Sequence, residues 1–322
     1  VAIRAFALAL KEKPDLKFMI VGDGPEKDKL VELARKLSVE KSIIFTGYKT
    51  GEELIRIMQA NDIFITTSKS ENMPLTVLEA MAIGLSLIAV PEKGLTELVK
   101  DGVNGYLAKT DDVDDIAKKI IRFAADQALI ARFGQESRNL AMNYADKEVT
   151  DLLVSAYKNV SSKNKSKQMK ICLYLEFYHL FGGMFFKNIG TGLLSSYHNQ
   201  RRALETLGID FAEKWDNDCD ILQINTPWLK SLYLIQKARK LGKKVIIWSH
   251  VTAEDARDVF WFNKYLYPLI KKYLKYAYGR ADLVFCPSQH TKNLLLGYGL
   301  PEEKLIVQSN AVDCLAYYPD EE

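Results

Sequence analysis

Short runs of β-branched and aromatic residues alternate with helix-length segments along almost the whole chain, and this alternation restricts the possible folds. Strands separated by helices of about 10 residues or more cannot pair as hairpins. They must run parallel, with the helices crossing back over the sheet. In the first half the order is helix VAIRAFALALKEK, strand KFMIVG, helix EKDKLVELARKL, strand SIIFTG, helix GEELIRIMQA, strand DIFITTS, helix PLTVLEAMAIG and strand LSLIAV. A short helix, GLTELVKDG, and further helical segments to Val160 follow. The second half repeats the grammar: strand KICLYLEF, a glycine-rich loop, helix LLSSYHNQRRALETLG, strand DILQIN, helix LKSLYLIQKARKLG, strand KVIIWSH, a long aromatic and basic helix, strand DLVFCPS, helix HTKNLLLGYG and strand KLIVQSN. Each half reads as a doubly wound, Rossmann-like α/β domain, so chemistry belongs in the loops that leave the carboxyl ends of the strands.

Between the halves lies the polar tract SSKNKSKQ, which sets the expected domains at residues 1–160 and 169–322 with a linker at 161–168. A chain of 322 residues fits two such cores. The first half opens on a helix where a doubly wound domain normally opens on a central strand, whereas Met169-Lys170 reads like a natural start. Hydrophobic and charged fractions of 48% and 26% suit a soluble globular protein, and no apolar run approaches the roughly 18 residues of a membrane-spanning helix. The first residues lack a basic leader and a cleavage site, so no signal peptide is expected. A net charge of +3 is too weak to indicate nucleic acid as a partner. Cys172, Cys219, Cys286 and Cys314 lie far apart without metal-ligand or redox spacing, which predicts buried, reduced thiols in a cytosolic protein.

The stretch SKSENMPLTVLEAMAIGLSLIAV carries the chemistry. Glu71 closes a strand-to-helix loop, and Glu79 lies one turn inside the helix that starts near Pro74. Backbone N–H groups at a helix N-terminus attract phosphate, and carboxylates accept hydrogen bonds from sugar hydroxyls. From spacing alone, the pair reads equally as a charged loop plus a first-turn glutamate complementing the helix dipole. The stretch as a whole resembles the E-x7-E signature of retaining GT-B glycosyltransferases of the family-4 type, matching at Glu71, Leu75, Leu78, Glu79, Ala80, Met81, Ala82 and Gly84. It departs at Asn72, Met73, Pro74 and Ser86. The resemblance implies that Glu71 holds the donor hexose and Glu79 the ribose, with Asn72, Met73, Leu75 and Thr76 cradling sugar and diphosphate through main-chain groups. Pro74 removes one of those donors.

The resemblance extends over nearly the whole chain. It sets Gly47 and Tyr48 against the nucleobase, and matches Gly182 and Gly183 to the glycine-rich loop of an acceptor domain. His250 corresponds to a histidine beside donor sugar and acceptor, although a histidine on an apolar strand is by default a buried, satisfied ring. Gly22, Gly24 and Pro25 read as a plain turn leaving a strand. No metal or other cofactor is implied. In the family the acceptor domain comes first, so the order here is inverted, as in a circular permutation. A strand and the G-R-x-x-x-x-K-G segment that clamps the donor diphosphate have no counterpart. The donor sheet is therefore expected to show an unfilled strand position, and residues 313–322 to run straight out.

The segment VFWFNKYLYPLIKKYLKYAYGR combines aromatics with lysines. A helical projection sets Lys264, Lys271, Lys272 and Lys275 on one face and Leu269, Ile270, Tyr273, Leu274 and Ala277 on the other, with Trp261 near its start. Such a helix either lies on an anionic membrane or packs on the core with a solvated basic face. Together with IWSHVTAED it resembles the acceptor domain of bacterial diacylglycerol glucosyltransferases. The implied function is transfer of a hexose from a nucleotide diphosphate sugar such as UDP-glucose to a lipid or glycan acceptor. The implied location is cytoplasmic, with peripheral attachment to the inner membrane face. The alternative is a noncatalytic module that binds nucleotide sugar or membrane.

Overall fold

The structure is a computed structural model that describes residues 1–161, 169–176, 192–255, 263–312 and 314–317. It divides into two compact units, one of residues 1–143 with 312–322 and one of residues 144–311. The expected boundary at 160 therefore moves: the helix before the polar tract belongs to the second unit and the C-terminal residues to the first.

The first unit contains α1 (Ala2–Glu12), β1 (Phe18–Val21), α2 (Lys27–Lys36), β2 (Ile43–Gly47), α3 (Gly51–Gln59), β3 (Ile63–Ile65), α4 (Leu75–Ile83), β4 (Ser86–Ala89), α5 (Leu95–Leu98), β5 (Gly105–Leu107), α6 (Val113–Ala124) and α7 (Gln127–Ala141). Its parallel strands form two pieces, β1-β2 and β3-β4-β5, as expected for an unfilled strand position. Strand β1 is paired on one edge only, and so is β3. Both are only partly buried, and Val21 is 38% exposed, whereas β4 is buried throughout. Helix α1 spans the two pieces. Its Ile3, Phe6 and Ala7 share a core with Phe18, Ile20 and Ile43, while Ala5 and Ala9 pack with Ile63, Ile65 and Ile88. Leu16 packs against both cores.

The second unit holds α8 (Asp146–Ser161), β6 (Lys170–Tyr174), α9 (Gly192–Thr206), β7 (Asp210–Ala212), β8 (Ile221–Ile224), α10 (Leu229–Lys240), β9 (Lys244–Trp248), α11 (Asn263–Gly279), β10 (Leu283–Cys286), α12 (Gln289–Gly297) and β11 (Leu305–Val307). Its strands make one parallel sheet in the order β11-β10-β9-β8-β6-β7. From β8 to β11 the chain steps one way across the sheet. Right-handed crossovers then put α10, α11 and α12 on one face, and α9, whose crossover steps the other way, on the opposite face. The cores agree: Ile235, Leu274, Tyr278 and Leu295 pack with Val245 and Ile247, while Tyr157, Tyr197 and Leu204 pack with Ile246 and Trp248. Alternate residues of β9 thus feed opposite cores, as strand geometry requires. Glu176, at the end of β6, is buried and accepts from Lys230 N, Ser231 N and Ser231 Oγ at 2.9, 2.7 and 2.7 Å, which caps the N-terminus of α10 with a negative charge.

Three expectations need correction. Residues 105–107 form β5 inside a stretch expected to be helical, and residues 210–212, for which the pattern suggests no element, form β7. Each has only three residues, too few to show a period, and each is held by its sheet neighbour. Residues 314–317 do not run out but form a single turn, α13 (Cys314–Tyr317), against α4. Cys172 and Cys219 are disulfide-bonded, with Cα atoms 5.8 Å apart, so only Cys286 and Cys314 are free thiols. The pairing of β6 with β8 brings together two cysteines 47 positions apart, and the thiol argument for a cytosolic chain falls away.

Phe6 is 2% exposed and stacks on Phe18 with ring centroids 5.2 Å apart. Phe6→Ala is expected to destabilise the first unit by about 3–5 kcal/mol. Calorimetry should show its transition falling while that of the second unit, which has its own core, stays in place.

Candidate active site

In the first unit the site lies where β3 hands over to α4. Helix α4 is apolar almost all round, with Val77, Leu78, Ala80, Met81, Ala82 and Ile83 buried, so it is held inside the unit and not on its surface. It stops at Gly84, whose φ of 92° favours glycine. There Arg138 donates through Nε and Nη2 to Ile83 O at 3.1 and 2.9 Å, setting a cation at the C-terminus. At the other end Pro74 caps the helix, and its carbonyl accepts from Val77 N and Leu78 N. The N–H groups of Leu75 and Thr76 have no partner among the described residues, and Thr76 is exposed.

The loop before α4 is fixed from behind. Ser68 Oγ donates to Glu71 Oε1 at 3.2 Å, and Gly94 N donates to Glu71 O at 3.2 Å. A Cβ on Gly94 would stand 1.7 Å from Asn72 O, so only glycine permits this approach. Met73 is buried and turns inward. Glu79 is claimed by a residue 238 positions away: Tyr317 Oη, on α13, donates to Glu79 Oε1 at 2.9 Å. Burial raises the Glu79 carboxyl above its ordinary range, and the Tyr317 hydrogen bond offsets only part of that rise. Gly47 and Tyr48 lie at the carboxyl end of β2, with Tyr48 59% exposed. Gly22 N donates to Gly47 O at 2.9 Å, an isolated bridge just beyond the β1–β2 ladder.

In the second unit His250 follows β9. Its ring stacks on Trp248 with centroids 5.4 Å apart and planes 8° apart, and its Nε2 lies 3.5 Å from Ser196 Oγ on α9. Burial lowers the imidazole pKa from 6.5 to about 4. Ser196 Oγ also meets Asn310 Oδ1 at 2.9 Å. A cavity of about 330 Å³ opens beside Ser196, Asn310 and Trp248. Gly182, Gly183 and Trp261 lie outside the described residues, as does the side chain of Lys264.

On α11, Ile270, Tyr273, Leu274 and Ala277 face the core, one of the two placements left open by the projection. The projection errs at two positions. Leu269 points outward, 65% exposed, and Lys271 folds over the rings of Tyr298 and Tyr267, with Nζ 4.8 and 5.7 Å from the centroids. Glu254 anchors both phenols, so the Lys271 face is drawn inward. Lys272 and Lys275 remain exposed beside Tyr265, Leu266 and Tyr276. Among the described residues no group of three His, Cys, Asp or Glu could hold a metal ion, and no helix is long and apolar enough to cross a membrane.

Residues 1–140 match the family model for glycosyl transferases group 1, and residues 188–314 match that for Glycosyltransferase Family 4. N-acetyl-alpha-D-glucosaminyl L-malate synthase of Bacillus anthracis is 30% identical over 136 residues, 42% of this chain and 35% of that protein. Alpha-monoglucosyldiacylglycerol synthase of Streptococcus pneumoniae is 40% identical over 103 residues, 32% of this chain and 23% of that protein. The solved C-terminal domain of a glycosyl transferase group 1 family protein (LpcC) from Francisella tularensis is 28% identical, with a TM-score of 0.41 over 44% of this chain and 75% of that one. The chain spans less than half the length of the curated relatives it matches first.

The His250 shift has a consequence for pH. The folded ring takes a proton only near pH 4 and the unfolded ring near 6.5, so the unfolded state binds more protons between those values. Stability from the neutral ring is complete above about 6.5 and is lost as pH falls toward 4. Because the residue is partly exposed, the loss is at most about 3 kcal/mol. Urea midpoints across this window should fall less steeply in His250→Asn than in wild type; equal slopes would remove His250 as the source.

Proposed function

We propose that this chain, whose residues 1–140 match the glycosyl transferases group 1 model and whose residues 188–314 match that for Glycosyltransferase Family 4, moves a hexose from a nucleotide diphosphate sugar to an acceptor with retention. The observation that carries the reading is the start of α4. Two free N–H groups, those of Leu75 and Thr76, sit between Glu71 and Glu79 at the positive end of a helix. A departing diphosphate develops negative charge that such groups stabilise without a cation. Glu71 holds the sugar, Glu79 the ribose, Tyr48 the base, and His250 lines the reacting face. The inverted order of the two segments is part of the proposal, a circular permutation of one architecture.

The acceptor is a lipid, and the α10–α11 face meets the membrane. Neither helix contains an Asp or Glu, and together they carry Lys230, Lys237, Arg239, Lys240, Lys264, Lys271, Lys272 and Lys275. Leu229 and Tyr265 are 78% and 83% exposed, and Trp228, Tyr233 and Leu269 are exposed as well. Exposed apolar side chains beside the exposed Lys272 and Lys275 fit an anionic interface.

Transfer and hydrolysis of UDP-hexoses, measured in wild type and in Glu79→Ala, test the reading. The variant is expected to bind the nucleotide about 10- to 100-fold more weakly, the worth of hydrogen bonds to a charged group. Equal activity and affinity would remove the assignment. For the membrane, Lys272→Glu with Lys275→Glu should weaken sedimentation with phosphatidylglycerol vesicles by at least about tenfold. Unchanged binding would refute the lipid-facing surface.

A further inference from the structure

A line of buried polar side chains runs through the second unit to His250. Tyr157 Oη meets Gln223 Oε1, Gln223 Nε2 meets Gln200 Oε1 at 2.8 Å, Gln200 Nε2 meets Ser196 Oγ at 3.3 Å, and Ser196 Oγ meets Asn310 Oδ1 at 2.9 Å. Tyr157, Ser196, Gln200, Gln223 and Asn310 are all buried. Few alternatives to these bonds exist, because a buried polar atom without a partner is costly.

The line has one direction. Burial keeps the Tyr157 phenol protonated, so it donates and Gln223 must present its carbonyl oxygen. The Gln223 amide nitrogen then faces Gln200 Oε1, which turns the Gln200 nitrogen toward Ser196. Ser196 accepts there and commits its single O–H to Asn310 Oδ1. One lone pair of Ser196 Oγ remains for His250 Nε2 at 3.5 Å.

We propose that Ser196 is the positioning residue of His250, fixing the proton on Nε2 and leaving the Nδ1 lone pair to accept a hydrogen bond from a hydroxyl. The opposite tautomer would need the Ser196 O–H for Nε2, which would set the Ser196 and Asn310 oxygens lone pair to lone pair at 2.9 Å. The stack on Trp248 holds the ring plane while Ser196 holds its proton. With its basicity lowered by burial, the ring stays neutral and acts as an acceptor near neutral pH. That the hydroxyl belongs to a bound sugar rests on the transferase reading; the tautomer does not.

Nitrogen-15 imidazole spectra of the whole chain at neutral pH, with the His250 signals assigned by their loss in His250→Gln, test the proposal. The expected result is a protonated Nε2 with its proton close to the Ser196 methylene, and an unprotonated Nδ1. In Ser196→Ala that proton is expected to exchange with water about 2- to 10-fold faster, the factor for one lost hydrogen bond. Ser196→Thr, which restores the hydroxyl, and Asn310→Asp, which keeps the acceptor, should retain slow exchange. A proton on Nδ1 in wild type, or equal exchange in wild type and Ser196→Ala, would overturn the proposal. The expected tautomer without sugar transfer would end the transferase reading and leave the network intact.

Discussion

Helix α1 is what makes one unit out of two pieces of sheet. Strands β1 and β2 hydrogen-bond to each other, as do β3, β4 and β5, but no ladder joins the two sets. Packing replaces it: Phe6 and Ile3 press on one piece, Ala5 and Ala9 on the other. Apolar burial has no direction, so it fixes separation less sharply than a ladder of hydrogen bonds does. Tyr48 stands on the first piece, and Glu71 and α4 on the second. Their relation therefore depends on side-chain contacts under α1.

The second unit is built on the opposite principle. Its six strands form a continuous ladder, and the central strands are buried on both faces. Some of its buried polar side chains are gathered into hydrogen-bonded sets, such as Glu176 on the α10 N-terminus or the line from Tyr157 to His250, whereas both amide atoms of Asn225 and the Thr226 hydroxyl are buried without a partner among the described residues. Rigid strands hold these sets in register, which lets a hydroxyl on one helix define the state of a ring on a strand end.

Much of this architecture was legible from periodicity. The β-rich runs became the strands, and helices between them forced parallel pairing. The resemblance placed Glu71 and Glu79 on a real strand-to-helix junction. What stayed hidden has physical reasons. GYL and DFA are too short to carry a pattern and become strands only through their neighbours. Cys172 and Cys219, like Tyr317 and Glu79, meet across long loops, and local propensity carries no trace of such partners. Lys271 defeated the projection because Tyr267 and Tyr298 offered it ring faces that a single helix cannot display. Ser196 and Gln200 looked like ordinary helix residues until the sheet supplied Gln223 and Asn310.

The bond from Tyr317 to Glu79 ties α13 to the middle of α4. A carboxylate offers about four lone-pair sites, so this one bond leaves Oε2 and a second position on Oε1 open to other donors. The carboxylate has a partner before a ligand arrives, and the cost of burying Glu79 is partly met in advance. The environment of a carboxyl in the middle of α4 is thereby set by the docking of a single helical turn 238 positions away.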